Sequence, residues 1–141
     1  MSLFKNSLLK FIRPSPSPIY GIHHPLGLKL VFRLRIGLSH LRVHKFRHSF
    51  RDTVNPLCSC NIEPESTTHF LLRCHFFSAE RKVLFDSLSN IDVTLTTMND
   101  EKLKTVLLYG NTLFSTEVNS EIIKALIKFL ISTGRLNENL M

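Results

Sequence analysis

Acidic residues are missing from the first 51 positions of this 141-residue chain, and cysteine occurs only three times. No apolar run approaches the length of a membrane helix, and no internal repeat is visible. Each absence excludes something. Three cysteines leave one over, and no cleavable secretory signal is present, so a disulfide framework does not organise this fold. Lys29 interrupts the apolar run at 26–32, and Lys124 and Lys128 interrupt the one at 122–131. The chain therefore reads as intracellular, nuclear or cytoplasmic, with no membrane partner. Asp52, Asp86, Asp92 and Asp100 are scattered, with no Asp-Asp pair of the kind that holds the two metal ions of a polymerase. Nor is there a set of carboxylates and a histidine that could converge as an endonuclease site. These absences point to a protein that is not an enzyme.

What remains is unevenly charged. Residues 1–51 hold ten Lys or Arg against no acid, whereas residues 52–141 hold eight basic and eleven acidic residues. A basic segment of this density implies an anionic partner, because lysine and arginine gain affinity by releasing counterions from phosphates. Arg33, Arg35, Arg42, Lys45, Arg47 and Arg51, with His40, His44 and His48 among them, form the densest patch. The plain alternative is a solvated basic face. An acid-free start also resembles an organellar presequence, although basic and core-like apolar residues continue well past Arg13.

The length suits one small domain with tails, and 43% hydrophobic content suits a modest core that a structural metal would supplement. Met1 to Ile12 reads as a short amphipathic helix, and Pro14-Ser15-Pro16-Ser17-Pro18 as an extended linker. Leu28 to Ile36 is ambiguous, since its alternating apolar residues fit a strand while Leu34, Leu38 and Leu41 fit a helical face. Ser39 to Phe50 reads as a helix with Leu41, Phe46 and Phe50 turned inward. Asp52 to Glu65 has turn chemistry, and Ser66 or Thr67 can cap a helix that follows. Phe76 to Leu88 continues as a helix carrying Phe77, Leu84, Phe85 and Leu88. Asn99 or Asp100 starts another through Leu108, stopped at Tyr109-Gly110. A last helix runs from Ser115 or Thr116 to Thr133, with Gly134 after it. Its stripe of Ile122, Ile123, Leu126, Ile127, Leu130 and Ile131 reads as core packing, or less readily as a surface for a partner helix. The expected architecture is all-α: a small helical domain built around a metal loop, with a C-terminal helical extension.

The chemistry concentrates in one window, Cys58-Ser59-Cys60, eight residues, then His69-Phe70-Leu71-Leu72-Arg73-Cys74. Three thiolates and one neutral imidazole are a ligand set that zinc prefers, and together they complete a tetrahedron. A filled tetrahedron has no open position for water, so the expected Zn2+ is structural. His69 and Cys74, five residues apart, would diverge by about 140° on a continuous α-helix. Cys74 is therefore expected at or beyond the end of the helix that begins near Ser66. His75 stands beside it as an alternative ligand. The competing readings are three buried thiols with a surface histidine, and a nucleophilic Cys74–His75 pair, which has no third residue to orient it.

The ordered combination is more specific than the cysteine spacing. Phe32-Arg33-Leu34-Arg35-Ile36-Gly37-Leu38-Ser39-His40-Leu41, then Asn55-Pro56-Leu57-Cys58-Ser59-Cys60, then Thr68-His69-Phe70-Leu71-Leu72-Arg73-Cys74, ending near Glu80-Arg81, resembles a retroelement zinc-binding region. This region follows the polymerase core in reverse transcriptases of non-long-terminal-repeat retrotransposons. The resemblance covers residues 26–90, leaving 1–25 as a basic segment and linker and 91–141 as the helical extension. It implies that Cys58, Cys60, His69 and Cys74 are zinc ligands and that Arg33 and Arg35 contact template RNA or target DNA. It also implies a C-terminal piece of an RNA-directed DNA polymerase, with the rest of that reverse transcriptase as a partner. One departure is His75, where the family has proline after the last cysteine. The expected function is a non-catalytic, zinc-stabilised nucleic-acid-binding module. The alternatives are a protein-interaction fragment using the C-terminal helix, or a functionless remnant of a decayed element.

Overall fold

A computed structural model of the chain describes residues 22–136. The readings of Met1 to Ile12 as a helix and of Pro14 to Pro18 as a linker lie outside the described residues. Within them the fold is all-α. There is no strand, only one isolated bridge between Leu57 and Pro64.

Helix α1 spans Pro25–Ile36 and settles the ambiguity of that segment. Leu30, Val31 and Leu34 are buried, whereas Phe32 and Ile36 face outward. A helix satisfies its backbone hydrogen bonds internally, while a strand here would find no neighbouring strand among the described residues. The His24 imidazole accepts the Gly27 N–H at 3.0 Å, Pro25 fits the first turn, and Gly37 ends the helix at φ 73°. Gly27 has a second role. A Cβ there would meet the Ile127 methyl Cγ2 at 2.4 Å, so its absence lets α1 close onto the last helix.

Helix α2 is shorter than expected, Arg42–Arg47. Before it, the Ser39 N–H and hydroxyl both meet the His44 ring at Nδ1, at 3.3 Å and 2.7 Å. After it, Ser49 takes a positive φ of 61° and turns the chain away. This geometry buries Leu41 and His44 but leaves Phe46 and Phe50 46% and 49% exposed. The expectation that both phenylalanines point inward is therefore corrected: one turn of helix has a single buried face, and His44 occupies it.

The metal loop leads into a π-helical turn, His69–Arg73, then a 3₁₀ turn, His75–Phe77. Helix α3 follows at Ser78–Ile91, two residues later than the periodicity suggested. A 3₁₀ turn at Val93–Thr97 precedes α4, Asp100–Tyr109, whose first turn is capped by Asn99 accepting the Lys102 N–H at 2.9 Å. Helix α5, Thr116–Thr133, is capped by Ser115 and ended by Gly134.

Helix α5 is the centre of the core, packed against α1, α3 and α4. Its apolar stripe is almost wholly consumed there: Ile122, Ile123, Leu126, Ile127 and Leu130 are buried, with Ile131 partly so. One apolar cluster runs from Ile22 to Leu136 without a break at residue 90. Phe70, from the π-turn, is fully buried and packs its ring 5.6 Å from Phe129 of α5 and 5.3 Å from Phe77. The ligand-bearing turn is thus anchored in the same core as the last helix. No described helix is long and apolar enough to cross a membrane.

Candidate metal centre and basic face

The loop brings Cys58, Cys60, His69 and Cys74 together, with one ligand atom from each lying within 4.8 Å of every other. Cys58 Sγ is 3.8 Å from Cys74 Sγ, and Cys60 Sγ is 3.4 Å from His69 Nε2. Local backbone produces this approach. The Cys58 N–H donates to the Glu63 carbonyl, and the Asn61 N–H donates back to the Cys58 carbonyl, with Asn61 at a φ of 66°. The resulting tight knuckle turns both thiols inward. On the other side, the Cys74 N–H donates to the His69 carbonyl at 2.8 Å, five residues back. That wider π-turn, followed by an extended Cys74 at ψ 124°, cancels the divergence an α-helix would impose. Ser66 accepts the His69 N–H and caps the start of the turn.

The imidazole is oriented from behind. His69 Nδ1 lies 2.7 Å from the Glu63 carboxylate, which also accepts from Arg73 at 3.0 Å. These two contacts, the histidine first, hold Glu63 below the usual carboxylate range. With its Nδ1 hydrogen on Glu63, the ring presents the Nε2 lone pair to the thiols, as a histidine bound to a metal requires. Burial pushes the Cys58 thiol up to about 12 and raises Cys74 as well. At Cys60 burial also raises the thiol, but hydrogen bonds from the Ile62 N–H, the two other cysteines and His69 bring it below its ordinary value. A cation among three such sulfurs would favour their thiolate forms and drive off the protons. The four side chains can hold a metal ion. His75 is outside the group: its ring is exposed and lies edge-on to Phe76 at 4.8 Å.

Three residues that support the site carry no ligand signature. Arg81 donates to the carbonyls of Phe70, Leu71 and Cys74 at 3.0, 2.9 and 2.8 Å, filling the acceptors left open where the π-turn ends. In the sequence, Arg81 stands only as an arginine at the downstream end of the pattern. Glu63 belongs to a Glu-Pro turn, and nothing in its spacing announces a contact to His69. Glu65 is buried and accepts the Arg42 N–H at 2.8 Å, where a carboxylate suits the start of a helix. It also takes two hydrogen bonds from Arg135, at 2.7 and 2.8 Å, across 70 residues.

The basic residues separate into different roles. Arg35 donates to the Leu108 carbonyl at 2.6 Å and lies 5.1 Å above the Tyr109 ring, so it joins α1 to α4. Arg42, Lys45 and Arg47 share α2, with Arg51 just past it. Arg42 reaches the Asn55 carbonyl, and Lys45 pairs with Asp52 at 2.8 Å. Arg33, Arg47 and Arg51 have no ion-pair partner among the described residues, and the last two are exposed. His44 leaves the patch altogether: it is buried, and its pKa is pushed down to about 4 by burial first, then by Arg47 and His48. A polar hollow of about 380 Å³ lies between α2 and the π-turn, lined by His44, Arg47, Thr67, Arg73 and Lys104 among others. Compared with known proteins, the chain matches no family model, no curated protein and no solved structure.

Proposed function

We propose that this chain is a non-catalytic, zinc-stabilised nucleic-acid-binding module of the kind that follows the polymerase core in non-long-terminal-repeat reverse transcriptases. The observation that carries the zinc reading is the size of the ligand cage. Around zinc, sulfur arms of ~2.3 Å and a nitrogen arm of ~2.05 Å give tetrahedral edges of about 3.8 Å between sulfurs and about 3.6 Å from sulfur to nitrogen. In the chain one sulfur pair, Cys58 and Cys74, is 3.8 Å apart, the Cys60–His69 pair is 3.4 Å apart, and every ligand pair lies within 4.8 Å. Four protein ligands close the coordination sphere, which supports a structural role over a catalytic one. Zinc would pin residues 58–74, and with them Glu65, which seats α2. The nucleic-acid reading draws on the acid-free α2, whose Arg47, with Arg51 next to it, is exposed to solvent.

The test has two arms on the purified full chain. Elemental analysis is expected to find one zinc per chain. Binding to RNA or DNA oligonucleotides is expected to weaken steeply as salt rises, with a slope set by the number of phosphate contacts. A metal-free protein with an undisturbed thermal transition would refute the zinc reading. A chain that binds no oligonucleotide at low salt refutes the other.

A further inference from the structure

We infer that the α2 face takes single-stranded nucleic acid, with unpaired bases stacking on Phe46 and Phe50. This rests on the nucleic-acid reading above and names its ligand class. Phe46 on α2 and Phe50 just past it, each about half out of water, are apolar rings that the fold leaves uncovered. They do not stand in an apolar field. Lys45, Arg47 and Arg51 flank them in sequence, and the Lys45 ammonium lies 5.8 Å from the Phe50 ring centre. The acids packed against this segment are already engaged, Asp52 by Lys45 and Glu65 by Arg135 and the Arg42 N–H. His44, the other titratable side chain of α2, points inward.

Aromatic rings interleaved with cations select for a ligand that offers both flat apolar faces and closely spaced anions. A single strand offers both, because its bases are free to leave their neighbours and its phosphates repeat along the chain. A duplex hides its base faces and presents phosphates, sugars and groove edges, none of which offers a ring to stack on. A purely apolar protein partner would make no use of the surrounding cations. Charge complementarity and exposed rings together therefore favour the single strand.

The absence of tryptophan supplies a clean reporter. Phe50→Trp in the full chain would carry the one indole, and its emission is expected to be quenched by a 12-nucleotide single strand, as RNA or as DNA, but not by the corresponding duplex. Phe46→Ala with Phe50→Ala is expected to weaken single-strand binding by about tenfold or more per ring, leaving the salt slope unchanged. Arg47→Gln with Arg51→Gln is expected instead to lower that slope by about 1.4, for two phosphate contacts. Zinc content and thermal midpoint are followed in every variant, and if the alanine pair loses either it is replaced by Phe46→Leu with Phe50→Leu, which keeps most of the apolar bulk but removes the rings. Equal binding of single strand and duplex, with no effect of removing the rings, overturns the stacking inference while the nucleic-acid reading survives. Loss of all salt-sensitive binding in the unaltered chain overturns both.

Discussion

Residues 52–74 and helices α3 to α5 are held together by different physics. The first region contains one isolated bridge, a knuckle of two backbone hydrogen bonds and a five-residue π-turn, and beside Phe70 and Leu71 it buries polar or ligating groups: Cys58, Cys74, His69, Glu65 and Thr68. The second is three helices whose inward faces are Leu, Ile, Val and Phe, wound around α5. Apolar burial is non-directional and spread over many contacts, so it tolerates adjustment. A ligand cage and its supporting hydrogen bonds are directional and few, so each loss is local and large. The two meet at Phe70, which carries the π-turn into the core, and at Arg81, which reaches from α3 back to three carbonyls of that turn.

That comparison can be broken from the loop side first. Cys58→Ser with Cys74→Ser is expected to abolish metal binding and collapse amide-exchange protection across residues 57–74, while α5 keeps the greater part of its protection. Uniform loss of protection over both regions would show that the helices do not stand without the cage. From the core side, Phe129→Ala is expected to cost about 3–5 kcal/mol in denaturant unfolding while metal stoichiometry at low temperature is retained. Loss of metal in that variant would mean that the cage depends on Phe70 packing more than on its own backbone.

Two smaller changes sharpen the boundary. Arg81→Gln leaves the carbonyls of Phe70, Leu71 and Cys74 without their donor, at an expected cost of about 2–3 kcal/mol together with weaker metal retention under chelator. An Arg81 variant with unchanged chelator sensitivity would confine that residue to α3. His44 gives the pH dependence. Its folded pKa, pushed down to about 4 from an ordinary 6.5, means that the unfolded chain binds the proton more readily. Its stabilising contribution is thus complete above about pH 6.5 and is lost as pH falls toward 4. Between pH 7 and 4 the unaltered chain is expected to lose about 3 kcal/mol more than His44→Asn, measured by urea unfolding. Acid release of metal acts on both proteins, so it drops out of the difference.

The helices were legible because their signals are local. Asn99, Ser115 and Gly134 cap or end helices where their side-chain and backbone preferences predict, and the α5 stripe is buried as its spacing demands, whereas the α1 segment is ambiguous in sequence and only the fold settles it. The grouping of Cys58, Cys60, His69 and Cys74 was legible from residue type and order. Less so were the faces of α2. Phe46 and Phe50 carry the apolar signal of core residues, yet His44 has the buried position because Ser39 binds its ring. Local hydrophobicity cannot register a hydrogen bond formed by a turn that lies outside the helix.

Sequence alone determined that the described residues are all-α, that the last helix among them is apolar on one side, and that the three cysteines and His69 can meet. Those properties follow from backbone periodicity, capping chemistry and ligand type, all of which act over a few residues. Tertiary structure decided which members of the basic run are engaged and which face water. Arg35 is tied to the end of α4, 73 residues away, Glu65 to Arg135 across 70, while Arg47 and Arg51 are exposed. Buried polar groups must find partners wherever the fold supplies them, so these roles are set by distant carbonyls and carboxylates that no local pattern encodes.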